Sequence, residues 1–316
     1  MAPYASAVVP GAADQSTRWQ AVLDEVPCLR GRERLVEELP GGLTNVNLKV
    51  TTDDVRVVVR VAQPGSDLLA IDREHEYRNS VAAAEAGVGA PVIDYLPDAG
   101  LLVVGFLEAE TFSDENLRNP ANLERVADAC RQLHAGPRFV NDFDMFSIQR
   151  GYLSVVQERR FRLPPRYLDF APKAEQIRRA LAVHPDPTVP CNNDLLAGNI
   201  LDDGTRLWLI DYEYAGNNEP CFELGNIWSE ATLGLDHLDH LMEAYDGRRR
   251  RSRVARARLW GLLSKYGWML WASIQSSVST VDFDFWSWGL EKYNRAVTEF
   301  ESPAFEQLLA DVTEED

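Results

Sequence analysis

Cysteine is scarce in this 316-residue sequence, and the four present (Cys28, Cys130, Cys191 and Cys221) show no C-x-x-C spacing. They are too sparse for a disulfide framework, which fits a reducing, cytoplasmic setting. No apolar run approaches the ~18 residues that a membrane-spanning helix needs. Residues 1–15 lack a basic segment leading into an apolar core, so no secretory signal and a soluble protein are expected. Positive charge is also short: 32 Lys and Arg face 49 Asp and Glu, a formal net charge of −17. A surface of that sign repels a phosphate backbone and argues against a nucleic-acid binder. Neither a Walker A pattern nor a dinucleotide G-x-G-x-x-G occurs, so P-loop and Rossmann folds find no support. What remains, 45% hydrophobic and 26% charged, is a globular chain long enough for two lobes.

One stretch organises the rest: CNNDLLAGNILDDGTRLWLIDYEYAG, from Cys191 to Gly216. Two apolar runs, Asn199–Leu201 and Arg206–Ile210, flank Asp202-Asp203-Gly204, which predicts a hairpin with a glycine turn. Asp194 lies before the first strand, Asn199 at its start, and Asp211 after the second. Asp194 and Asn199 have the D-x-x-x-x-N spacing of a phosphotransferase catalytic loop. Asp211 stands where a second magnesium-binding carboxylate is needed. A carboxylate to orient a hydroxyl, with an amide and a carboxylate for magnesium, makes a phosphoryl-transfer constellation.

The flanking segments add structure. Ser16 is a plausible cap for a short first helix, and residues 1–15 read as frayed. Two alternating runs around Thr51-Thr52-Asp53-Asp54 read as strands, preceded by Gly41-Gly42, which would let backbone N–H groups approach a phosphate. Arg60 lies in an apolar strand and needs a partner, for which Glu76 on the next helix is available. That helix is capped by Asp72 and ended by Gly87 or Gly89. Gly100–Leu107 is one more strand, and the hinge falls near Phe106–Glu110. A helix follows, capped near Asn119 or Asn122 and ended by Gly136, with His134 read as structural. Helical stretches 152–160 and 172–183 then lead to the catalytic loop. Glu223 and Glu230 share a later helix. His237 and His240 read as a solvated helix turn. Arg248–Arg251 with Arg253, Arg256 and Arg258 reads as a solvated helix start. Five of the eight tryptophans fall from Trp260 onward, and Trp268 and Trp271 share a helix face. Such a stripe is either core or a box for a cation without N–H donors.

Together these segments resemble the choline/ethanolamine kinase family, most closely its bacterial choline kinases, within the aminoglycoside-phosphotransferase and protein-kinase-like group. The resemblance runs from about Leu39 to Tyr293. It implies an α+β, protein-kinase-like two-lobed fold: a small β-rich nucleotide-binding lobe, residues 1–107, and a larger, mainly helical catalytic and substrate-binding lobe, 108–316. GGLTNVNLKV resembles the nucleotide loop, placing Gly41, Gly42, Thr44 and Asn45 over the phosphates of ATP, with Arg60 and its helix partner Glu76. NNDLLAGNIL is similar to the catalytic motif, which makes Asp194 the base and Asn199 a magnesium ligand, with Asp211 the second. Tyr214, Glu230, Trp268, Trp271 and Trp288 carry over to the choline side. The implied reaction is ATP- and Mg-dependent phosphorylation of choline to phosphocholine, with a homodimer left open. Two departures stand out: Asn192 replaces the family histidine of H-N-D, and Trp288 stands where relatives have tyrosine. Ethanolamine, an aminoglycoside-type acceptor and a non-catalytic ATP- or choline-binding module remain as alternatives.

Overall fold

A computed structural model of the chain describes residues 19–63, 66–314 and 316; Ser16 and residues 1–15 lie outside them. The described residues of Met1–Pro64 with Ala90–Leu107 form one compact unit, and those of Gly65–Gly89 with Glu108–Asp316 form another.

The first unit is an antiparallel sheet ordered β1-β2-β3-β5-β4. Its strands are β1 (Leu35–Leu39), β2 (Asn45–Thr51), β3 (Arg56–Ala62), β4 (Val92–Leu96) and β5 (Leu101–Gly105). Alternation decides which face is dry. Leu48 and Val50 of β2, Val57, Val59 and Val61 of β3, and Leu101 and Val103 of β5 form one buried cluster with Trp19, Leu23, Val26 and Leu29. Burying each such Val or Leu contributes about 1.5–3 kcal/mol. The two expected strands around 51–54 are β2 and β3, paired Thr51 to Arg56, with the Thr52 hydroxyl accepting from the Val55 N–H at 3.0 Å. Arg60, out of phase with the valines, is opposite Asn47 and 9% exposed.

The turn from β1 to β2 carries the two glycines. A Cβ on Gly42 would lie 2.1 Å from the Asn45 carbonyl oxygen, and Gly41 has φ +100°. Only glycine fits either place.

The second unit begins with α1 (Arg73–Glu85), where the Asp72 side chain accepts from the Glu74 and His75 N–H groups and Gly87, at φ +80°, ends the helix. Asn79, fully buried, donates to the Asn141 side chain at 2.8 Å and to the Ala215 carbonyl at 3.0 Å. These bonds tie α1 into the unit that holds the catalytic stretch. Asn119 caps α2 (Pro120–His134) as expected. Asp144 caps α3 (Met145–Arg159), seven residues ahead of the expected start at 152, and α4 spans Ala171–Leu181.

Three helices frame the far side: α5 (Pro220–Glu230), α6 (Leu235–Asp246) and the long, largely buried α7 (Arg251–Val278). α5 crosses α7 at a pair of glycines: a Cβ on Gly225 would lie 2.0 Å from the Ala257 carbonyl oxygen, and one on Gly261 2.6 Å from that of Gly225. The crossing lets the two helices pack backbone to backbone. α8 (Phe285–Glu301) then packs along α7.

The arginine run departs from its expected solvated role. Arg248, Arg249 and Arg251 are exposed, but Arg256 is 3% exposed and forks onto Glu219 with bonds of 2.7 and 2.8 Å. Arg253 pairs with Asp186 and Asp246. Buried guanidinium groups require such partners. Glu219 and Asp186 come from segments remote in sequence, so the run by itself could not reveal them.

Candidate active site

The hairpin forms as expected. β8 (Ile200–Asp202) pairs with β9 (Leu207–Leu209), and β6 (Glu110–Thr111) adds a third strand. Asp203 closes the turn by accepting from the Thr205 and Arg206 N–H groups. At the open end the Ile210 N–H donates to the Asn199 carbonyl at 3.0 Å, so Asn199 and Asp211 end up side by side. Beside it, β7 (Val189–Cys191) pairs with β10 (Gly216–Asn218) and fixes the entry to the catalytic loop.

Two buried asparagines shape that loop. The Asn192 amide donates to the Ile210 and Asp211 carbonyls at 3.0 and 2.9 Å, and its oxygen accepts the Asp194 N–H at 3.0 Å. One side chain therefore fastens the backbone of Asp194 to that of Asp211. Backbone hydrogen bonding is the support expected of asparagine in place of histidine. Asn193 sits at φ +67° and Asp211 at φ +66°, left-handed conformations that Asn and Asp tolerate better than most residues. The Asn193 amide donates to the carbonyls of Cys191, Tyr214 and Gly216. The Asn199 amide nitrogen donates to the Asp194 carbonyl at 2.8 Å, which leaves its oxygen for another partner.

Burial, and next to it the charge of Asp211, raises the Asp194 pKa well above the usual carboxylate range. Glu230 and Glu213 act in the same direction, and Lys292 opposes them. Glu213 and Glu76 both accept from the Arg73 guanidinium, at 3.4 and 2.6 Å. The acid-rich stretch is thereby partly balanced within its own unit.

Glu223 is the support that sequence reasoning did not assign. Its carboxylate, 1% exposed, accepts from the Asn192 and Asn193 N–H groups at 3.0 and 2.7 Å. Burial pushes its pKa up to about 7, while the two amides hold it down. The unfolded carboxyl ionises near 4.5, so between 4.5 and about 7 the folded chain retains a proton that the unfolded chain has lost. The stabilisation is therefore complete below 4.5 and disappears as pH rises toward 7, although the ionised form is the one able to accept both amides. Relative to Glu223→Gln, the wild-type unfolding free energy is expected to fall by about 3 kcal/mol across this window. Denaturant titrations of both proteins at pH 4.5 and 7.5 measure this. A pH-independent difference would place the Glu223 titration elsewhere.

The aromatic residues selected from the sequence converge. Trp271 Nε1 donates to the Tyr214 hydroxyl at 2.8 Å. The rings of Tyr214 and Trp268 stand 5.1 Å apart edge to face, as do Trp271 and Trp288 at 5.5 Å. Trp268 and Trp271 are buried, whereas Trp288 is half-buried. Glu230, at the end of α5, is ion-paired with Lys292 of α8. On the first unit, Gly41, Gly42, Thr44 and Asn45 form the β1–β2 turn and the head of β2, with Asn45 donating to the Thr44 hydroxyl at 3.1 Å. His134 is structural, as expected: it is buried, bonded to the Tyr245 hydroxyl at 2.7 Å, and its pKa is lowered by burial to about 3. Asn193 and Lys292, like Glu223, had no assigned role. A second asparagine before the aspartate was the one visible signal for Asn193.

Comparison with known proteins identifies the family. The family model for choline/ethanolamine kinase matches residues 36–242. Protein LicA of Haemophilus influenzae is 31% identical over 218 residues, which cover 65% of this chain and 61% of that protein's length. Ethanolamine kinase 2 of Rattus norvegicus is 27% identical, covering 86% of this chain and 82% of its own. A crystal structure of a choline/ethanolamine kinase family protein from Mesorhizobium loti superposes with a TM-score of 0.83 at 31% identity, over 96% of this chain and 99% of that one.

Proposed function

The chain belongs to the choline/ethanolamine kinase family, whose members are phosphotransferases acting on an alcohol group, and on that premise we propose that it phosphorylates choline from ATP. The observation that carries the proposal is the single bonded network joining Asp194, Asn199 and Asp211 at the hairpin end, beside the Tyr214–Trp268–Trp271–Trp288 cluster.

In this reading Asp194 accepts a hydrogen bond from the acceptor hydroxyl and takes its proton as the new O–P bond forms and the bond from the γ-phosphorus to the departing ADP oxygen breaks. Its raised pKa makes it a stronger base than an exposed aspartate. Asn199 and Asp211 offer hard oxygen donors, the set that suits magnesium. When bound there, the metal would neutralise phosphate charge. Gly41, Gly42, Thr44 and Asn45 would receive the phosphates, with Arg60 adding fixed positive charge; Glu76, also counted on the nucleotide side, lies on α1 of the second unit, where it accepts from Arg73. Phosphoryl transfer has a loose transition state, so positioning and charge neutralisation are the protein's main contributions. The four cysteines are free, and no helix among the described residues is long and apolar enough to cross a membrane, which supports a cytoplasmic setting.

A trimethylammonium has no N–H to donate and must be held by ring faces and nearby charge. Trp271→Ala is therefore expected to raise the choline KM about tenfold, equivalent to about 1.4 kcal/mol. The ATP KM should hold, since the proposed phosphate-binding residues Gly41, Gly42, Thr44, Asn45 and Arg60 lie on the other unit. Trp271→Phe should recover much of the loss. Steady-state KM values for both variants decide this; an unchanged choline KM in a folded Trp271→Ala protein would remove choline from the site. A second reading, ethanolamine, is favoured by one observation: Glu230 Oε1 is buried without a partner. A primary ammonium could donate to it where choline could not. The ratio of kcat/KM for the two alcohols separates the readings.

A further inference from the structure

The acceptor side of the site already contains an ammonium group. Lys292, on α8, is 3% exposed, and its Nζ is ion-paired with Glu230 while lying 4.3 Å from the ring centroid of Trp288, one turn back on the same helix. The side chains of Lys292 and Glu230 are each 4% exposed. The pair therefore competes little with water, and both members act on the charge of Asp194. Glu230 and Trp288 are two of the groups that an incoming substrate cation would use, and each is engaged by a cation of the chain itself.

We infer that Lys292 is the specificity-determining residue of the acceptor pocket, a tethered competitor for the carboxylate of Glu230 and the face of Trp288. The inference rests on the reading of the site as one for a cationic alcohol. Tethering gives the Lys292 ammonium a high effective concentration at Glu230 without loss of translational freedom. A trimethylammonium must either displace it, breaking a buried ion pair, or bind beside a carboxylate that is already neutralised. The pocket is thereby limited to acceptors with a single positive charge. Polycationic acceptors, which need several uncompensated carboxylates, are rejected by the same residue.

Lys292→Met keeps the length and apolar stem of the side chain and removes the charge. Tetramethylammonium, which carries the cation but no hydroxyl, is the probe, read by tryptophan fluorescence. Lys292→Met is expected to bind it at least tenfold more tightly than wild type, and the choline KM should fall in parallel while the ATP KM does not. Freeing Glu230 leaves a buried carboxylate that lowers stability, so the comparison is repeated with Glu230→Gln as the parent. There Lys292 stays as an uncompensated cation, and adding Lys292→Met should again tighten tetramethylammonium at least tenfold. Equal or weaker binding on removal of Lys292, in whichever background folds, overturns the inference. Because the probe cannot be phosphorylated, the result stands apart from the proposed reaction. A protein that gains tetramethylammonium affinity but never phosphorylates choline refutes the function and not the competitor. One that phosphorylates choline with unchanged affinity in Lys292→Met does the reverse.

Discussion

Asp194→Asn is expected to lower turnover about a thousandfold while nucleotide affinity stays within about twofold of wild type. The substitution keeps the size of the side chain and removes the base. The structural contacts of this residue run through its backbone: its N–H donates to Asn192 and its carbonyl accepts from Asn199. Neither bond depends on the carboxylate, so the loop should survive the change. The lost negative charge also relieves repulsion from Asp211, so the variant should fold at least as well as wild type. Single-turnover rates and nucleotide titration on one preparation test both halves. Turnover within tenfold of normal would deprive Asp194 of its role.

The second large effect concerns magnesium. Asp211 has φ +66°, where alanine is strained and asparagine is tolerated, so Asp211→Asn isolates the charge from the backbone. The backbone carbonyl of residue 211 can still accept from Asn192. Affinity for ATP measured with magnesium should fall at least tenfold, and affinity in the presence of a chelator should hardly change. Calorimetric titrations under the two conditions give the magnesium-dependent increment directly. If that increment is intact in Asp211→Asn, the metal is held by other groups.

The parts of the fold that could be read from sequence are those governed by short-range chemistry. Alternating valines gave β2 and β3, the Asp-Asp-Gly turn gave the hairpin, and Asp72 and Asn119 announced helix starts by the geometry of their side chains. The spacing of Asp194, Asn199 and Asp211 survived translation into three dimensions because the hairpin end holds Asn199 and Asp211 and the Asn192 and Asn199 side chains fasten Asp194 to it. The features that escaped depend on which remote segment packs where. Glu223 reads as an ordinary helical glutamate until α5 presents it to the two amides of the loop. Arg256 reads as solvated until Glu219 is set against it. Lys292 sits in an aromatic-rich helix with nothing in its neighbourhood to mark it, and only the approach of α5 supplies Glu230. Asn193 required a left-handed backbone that composition does not encode.

The most direct test of the central claim is a coupled ADP-release assay of the wild-type protein with magnesium, ATP and one acceptor at a time: choline, ethanolamine or a polycationic aminoglycoside. Choline is expected to give the highest kcat/KM, ethanolamine a lower one, and the aminoglycoside no release above the acceptor-free background. Release that depends on the aminoglycoside, or none above background with either amino alcohol, would contradict the assignment of this site as an amino-alcohol kinase.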